Sequence, residues 1–196
     1  MIERMNFLFV GVGGQGVLTA SDIAAQVGLD LGLDAKKSEI HGFAQRGGVV
    51  ESHIRWAPSV GAPICEKGTV DVLMSFELLE AARWLDWLRP GGTLIVNRQR
   101  VIPMSASVGD AVYPEESAII AALKARAGRV VVVDALPMAE QAGNTRTVNT
   151  IMLAALSTLL ATDPAVWETA ILRRVPEKYR EVNQIAFALG QAAAKA

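Results

Sequence analysis

Apolar residues in this chain fall into short unbroken runs, separated by glycine-rich turns and by longer stretches with helical spacing. Met5 to Val10 is one such run. It closes on Gly11-Val12-Gly13-Gly14-Gln15-Gly16, after which Val17, Leu18, Ile23, Ala24, Val27 and Leu31 recur at helical intervals. That order predicts strand, turn and helix. An unbroken run marks a strand covered on both faces, as parallel strands are when helices flank the sheet. The grammar repeats downstream. Val70 to Phe76 reads as a strand leading into a helix with Leu78, Leu79, Ala82, Leu85 and Leu88, which Pro90-Gly91-Gly92 stops before Thr93 to Val96 return to the sheet. A third helix is predicted from Pro114 or Glu115 to Ala127, closed by Gly128, and the valine-rich Arg129 to Asp134 is a further strand. From Thr147 onward the spacing is helical, with breaks at Asp163-Pro164 and near Pro176. The last helix would dock through Val182, Ile185, Leu189 and Ala192.

One region departs from this rhythm. Val50, Ser52, Ile54 and Trp56 alternate with Val49, Glu51, His53 and Arg55, the pattern of a half-exposed strand that is antiparallel or at an edge. The stretch before it, Lys36 to Gly48, is polar and too weakly periodic to predict a core element. There is no internal repeat or linker. The expectation is one domain over residues 1–196: an α/β, Rossmann-like, mostly parallel sheet flanked by helices, with an antiparallel or edge strand near 49–56 and a helical C-terminal region.

Composition narrows the function. A chain of 196 residues, 51% hydrophobic and 20% charged, can bury one substantial core. With 19 basic and 20 acidic residues the net charge is -1, which gives no global electrostatic basis for binding nucleic acid or an anionic membrane. The first residues, with Glu3 and only a brief apolar run, do not read as a signal peptide. Ile151 to Ala161, interrupted by Ser157 and Thr158, falls short of the roughly 20 residues a bilayer span needs. A cytoplasmic location is expected. Cys65 is the one cysteine, so no internal disulfide, thiolate zinc site or iron–sulfur cluster is expected on this chain. Redox chemistry must draw on groups from elsewhere.

Gly11, Gly13 and Gly16 satisfy G-x-G-x-x-G at a strand-to-helix junction, where glycines permit a tight turn and the helix start offers N–H donors to an anion. Two readings follow. The turn holds a dinucleotide, or it packs helix against sheet and receives a partner loop or a phosphate. A ribose-binding acid should end the second strand, yet Asp34 comes early and Glu39 lies near Lys36 and Lys37, which favours the second reading. His41, Gln45 and Arg46 carry acid–base and anion-binding chemistry, or form a solvated loop. His53 reads as structural or interfacial. His41 and His53 are the only histidines and no carboxylate sits at a telling spacing, so no metal site is expected. Cys65 reads as a buried thiol, and Asp134 as a group at a strand's carboxyl end or a helix cap. Asn144 and Asn149 flank a helix start beside a polar crevice, and Trp84 and Trp87 belong to core or interface.

Taken together, Gly11 to Val17 and Lys37-Ser38-Glu39-Ile40-His41-Gly42-Phe43-Ala44-Gln45-Arg46-Gly47-Gly48 through Arg55 resemble the gamma domain or subunit of thiamine-diphosphate-dependent 2-oxoacid:ferredoxin oxidoreductases. The resemblance is nearest to the stand-alone form, the indolepyruvate oxidoreductase beta subunit, and extends through Asn144 to Ala155. It implies oxidative decarboxylation of a 2-oxoacid, such as indolepyruvate or another arylpyruvate, with coenzyme A as cosubstrate and ferredoxin as acceptor. Thiamine diphosphate, Mg and iron–sulfur clusters would then sit in a large catalytic partner. No thiamine-binding Gly-Asp-Gly pattern occurs here. This chain would be the accessory subunit, with no catalytic residue of its own. Gly11, Gly13, Gly14, Gln15 and Gly16 would contact an anion or the partner, and Lys37, Ser38, Glu39, His41, Gln45, Arg46, Gly47 and Gly48 would form the edge of the active site. The competing readings are a self-sufficient NAD(P)- or FAD-binding oxidoreductase and a non-enzymatic scaffold.

Overall fold

The computed structural model describes residues 4–42, 47–103, 109 and 112–195. A six-stranded sheet of order β2-β3-β1-β4-β5-β6 forms its centre. The strands are β1 (Met5–Val12), β2 (Asp34–His41), β3 (Val49–Ala57), β4 (Val70–Ser75), β5 (Leu88–Asn97) and β6 (Arg129–Val133). β1, β4, β5 and β6 run parallel, while β3 is antiparallel to both β1 and β2. The helices are α1 (Val17–Asp30), α2 (Leu78–Arg83), α3 (Glu116–Arg126), α4 (Ala135–Ala142), α5 (Val148–Leu159), α6 (Pro164–Arg174) and α7 (Arg180–Ala193).

The unbroken apolar run of β1 is explained by burial on both sides. Phe7 and Phe9 enter one core with Trp56, Met74, Ile151 and Trp167, while Leu8 and Val10 enter the other with Leu73, Leu78, Leu94 and Leu123. The first core is covered by α1, α4, α5, α6 and α7, the second by α2 and α3. Thr150 to Ser157 of α5 are all buried, as befits a helix enclosed by other elements. Close backbone approach fixes two contacts. A Cβ at Gly28 would lie 2.4 Å from the Trp56 indole, and one at Gly190 would lie 2.3 Å from Ile151 O.

Four expectations are corrected. Strand β3 is antiparallel, but it lies inside the sheet between β2 and β1 and is not half-exposed, with Ser52, His53, Ile54 and Trp56 all fully buried. The segment expected to lack core structure forms β2, an edge strand whose charges discourage further pairing. Third, α2 ends at Arg83; a short 3-10 turn, Leu85–Trp87, follows, and β5 already begins at Leu88 because Leu88 pairs with Val70. Trp84 and Trp87 therefore lie beyond the helix, partly buried against the second core. Finally, α7 packs Val182 and Leu189 against the core as expected, but its buried residues are Asn183, Ala186, Phe187 and Gly190, and Ile185 and Ala192 are exposed. The tight approach of α7 to α5 favours small side chains and a Thr150 hydroxyl donating to Asn183 Oδ1 at 2.6 Å over larger aliphatic groups. Among the described residues no helix is long and apolar enough to cross a membrane.

Candidate functional site

Helix α1 lies on one face of the sheet and α2 on the other, so the carboxyl ends of β1 and β4 part at a topological switch point, where open α/β sheets seat ligands. The glycine turn leaves β1 there. A Cβ on Gly11 would stand 2.8 Å from Gln15 Oε1, 2.9 Å from Val17 Cγ2 and 3.2 Å from Phe76 Cβ. The missing side chain makes room for Gln15. Its Oε1 accepts from Val12 N at 2.7 Å, and its Nε2 donates to Phe76 O at 2.9 Å and Gln99 Oε1 at 3.1 Å. Gln15 thus bridges the crevice between β1 and the exit of β4. Asn97 extends the network, donating to Phe76 O and Gln99 Oε1 and accepting from Ala135 N.

Gly16 caps α1 with φ 75°, a left-handed conformation that glycine adopts without strain. Asn149, at the start of α5, donates from Nδ2 to Gln15 O at 3.1 Å and to Gly16 O at 3.0 Å, which holds the turn from above. Gly13 N donates to Gly48 O at 2.8 Å, so the structure joins the two glycine segments that the sequence set apart. Gly47 also has positive φ.

The other predicted residues are distributed differently. Lys37 pairs with Asp22 of α1 and with Glu39, and Asp22 also receives Arg174 at 2.8 Å. Burial lowers the Lys37 pKa, but these two partners outweigh it and the net shift is upward. The ammonium is committed to neighbouring elements. Ser38 lies opposite His53 on β3 and accepts the Ser52 hydroxyl at its carbonyl, and His41 lies opposite Val50 in the backbone register. Gln45 and Arg46 lie outside the described residues. Asp34 accepts from Val60 N at 2.7 Å at the start of β2, a loop-anchoring role. Antiparallel β3 separates β2 from β1, so neither Asp34 nor Glu39 stands where a dinucleotide ribose would need an acid.

His53 Nδ1 accepts from Cys65 N at 3.3 Å, and its ring lies 5.2 Å from that of Trp87. Burial lowers its pKa and keeps the ring neutral. Burial pushes the Cys65 thiol up to about 12, and its sulfur lies 3.6 Å from Phe7 O. A lone, protonated, enclosed thiol does not fit an iron–sulfur cluster. Among the described residues no group of His, Cys, Asp and Glu side chains is disposed to hold a metal ion.

Beside the turn lies a hollow of about 380 Å³, walled by Gly14, Gly16, Gln99, Leu136, Arg146 and Asn149. Arg146 is placed by Asn144, whose Oδ1 accepts from Arg146 N at 3.0 Å and starts the short turn ahead of α5. The glycine turn ahead of α1 and Arg146 wall one space, the chemistry of an anion contact. Leu136 in the wall of this hollow is exposed, as are Ile40 and Val49 near the carboxyl end of β2 and the start of β3. The roles of Phe76, Asn97 and Gln99 were not anticipated. For Asn97 and Gln99 the signal was a polar residue just past the carboxyl end of a predicted strand; Phe76 takes part through its backbone carbonyl, which its side chain does not announce.

The sequence profile of the pyruvate ferredoxin/flavodoxin oxidoreductase family matches residues 6–195. The indolepyruvate oxidoreductase subunit IorB of Archaeoglobus fulgidus is 40% identical over 153 residues, 78% of this chain and 76% of that protein. Its namesake in Pyrococcus horikoshii is 33% identical over 199 residues, covering 99% of this chain and 98% of that one. Among solved structures, the gamma subunit of a keto/oxoacid ferredoxin oxidoreductase from Geobacter sulfurreducens superposes with a TM-score of 0.71 at 23% identity, over 97% of this chain and 98% of its own. A 2-oxoglutarate:ferredoxin oxidoreductase from Magnetococcus marinus, solved with 2-oxoglutarate, coenzyme A and succinyl-CoA, gives 0.72 at 20% identity, matching all of this chain but 32% of that one. At these identities the likeness to solved structures is one of fold.

Proposed function

The chain belongs to the pyruvate ferredoxin/flavodoxin oxidoreductase family, and on that premise we propose that it is the accessory subunit of a 2-oxoacid:ferredoxin oxidoreductase acting on indolepyruvate or related arylpyruvates. The complex oxidatively decarboxylates the 2-oxoacid, transfers the acyl group to coenzyme A, releases carbon dioxide and passes electrons to ferredoxin. Two relatives named for indolepyruvate, one matched over 98% of its length and the other over 76%, support the substrate class. The fold also occurs both as a separate gamma subunit and as a third of a longer chain, which fits one module used attached or detached.

The observation that carries this reading is the Gln15 bridge. The switch point between β1 and β4 is closed by the chain's own side chain, hydrogen-bonded to Phe76 and Gln99, with exposed Leu136 in the wall of the hollow beside it. Such an edge serves a companion better than a resident redox group. In this account residues 1–196 act as one gamma-type domain in the cytoplasm, and the large subunit binds thiamine diphosphate, Mg and the clusters. Gly11 to Gly16 contact an anion or the large subunit. The segment from Lys37 to Gly48, including Gln45 and Arg46, borders the active site.

Resolving the purified complex into its subunits and assaying each for iron, acid-labile sulfide and thiamine diphosphate tests this division of labour. All three should travel with the large subunit. Iron or thiamine diphosphate retained by this chain would overturn the reading.

A further inference from the structure

A second cavity, of about 390 Å³, lies between α1, α5 and α6 on the helical face, away from the sheet edge. Its size falls within the range of small-molecule sites. The floor is apolar, formed by Ile23, Leu153, Ile171 and Val175, and the Tyr179 ring closes one side. None of its described lining residues is acidic, while two are arginines. Arg174 shares its charge with Asp22 at 2.8 Å. Among the described residues no carboxylate engages the Arg146 guanidinium, and Arg146 is an exposed residue of the cavity's lining. The Thr150 hydroxyl donates to Asn183 Oδ1 and Asn183 Nδ2 donates to Tyr179 O, so neither side chain demands a ligand and the arginine is left to select it.

We infer that this cavity binds a small organic carboxylate, with its apolar body against Ile23, Val175 and Tyr179, over the buried Leu153 and Ile171, and its carboxylate on Arg146. One uncommitted guanidinium offers a parallel pair of N–H donors that matches a monoanionic carboxylate, whereas a phosphate dianion would keep an uncompensated charge over an apolar floor. The occupant lies against Asn149, which belongs to both cavities and whose amide secures the glycine turn. The inference stands apart from the proposed activity because it concerns the isolated chain; Arg146 and Asn149 line both this cavity and the hollow beside the glycine turn, so Tyr179 and Leu136 tell the two apart.

Titration of the purified full chain with 3-phenylpropionate, followed by amide NMR shifts, tests it. Saturable binding is expected, weakened about tenfold or more by Arg146→Gln and by using the neutral 3-phenylpropionamide, in line with loss of a charge-assisted hydrogen bond. Tyr179→Ala, which alters only this cavity, should weaken binding, and Leu136→Ala, which alters only the hollow beside the glycine turn, should leave it unchanged. Absence of saturable binding, equal binding of acid and amide, or binding of inorganic phosphate in preference to the carboxylate would overturn the inference. So would sensitivity to Leu136→Ala without sensitivity to Tyr179→Ala.

Discussion

Asn149 and Gly16 are fitted to one another: Asn149 Nδ2 donates to Gly16 O at 3.0 Å and stands 2.4 Å from the point that a Cβ at position 16 would occupy. Gly16→Ala therefore meets two penalties, a clash with the amide and a left-handed backbone at φ 75°. Each is of order 1 kcal/mol or more, and for a chain of this size a loss of 1 kcal/mol lowers Tm by about 2–4 °C. Calorimetry should show a drop of several degrees. The double variant Gly16→Ala/Asn149→Ala removes the clash along with the two hydrogen bonds to Gln15 O and Gly16 O and leaves the left-handed strain in place, so it should remain well below wild type.

Gln15→Leu should destabilise by about 1–3 kcal/mol in urea unfolding, since Val12 N and Phe76 O lose their partner in the part-buried crevice. Gln15→Glu keeps an acceptor for Val12 N but directs a carboxylate at Phe76 O and Gln99 Oε1, and should fare no better at neutral pH. Stability equal to wild type in both variants would show that the bridge is incidental.

How much of this was legible in the sequence depended on where each residue finds its partner. The β1 run, the glycine turn and the valine strand β6 are local patterns, and the structure places them as expected. Strand β2 is held by pairing with β3 and carries the charges of an edge, so no hydrophobic period announces it. The burial of His53 follows from β2 on its outer flank and from Cys65 and Trp87 above it, none of which alternation along β3 encodes. Gln15 was visible as part of a motif. Its task was not, because its partners Phe76 and Gln99 lie 61 and 84 positions away. Lys37 was expected at the edge of the active site, and nothing in the sequence signals that α1 places Asp22 beside it.

Burial holds the His53 pKa below its ordinary value of 6.5. Between the folded and unfolded values the unfolded chain binds more protons, so stability is present above 6.5 and is lost as pH falls below it. A Tm profile should decline on the acid side of that value, and His53→Gln should flatten this part of the decline.

Glu51 shows the opposite sign. Desolvation raises its carboxyl above the ordinary 4.5, and Oε2 is buried without a hydrogen-bond partner. The folded state retains the proton longer, so Glu51 costs stability as pH rises above 4.5. Glu51→Gln should match wild type at pH values below 4.5 and exceed it in Tm at neutral pH. A lower Tm for the variant at neutral pH would show that the carboxylate has a partner there.

Arylpyruvate-dependent dye reduction in the presence of coenzyme A, measured for this chain alone, the large subunit alone and the two together, tests the central claim most directly. The account predicts turnover only from the assembled pair. Oxidation of the 2-oxoacid by this chain alone, or full activity of the large subunit without it, would contradict that account.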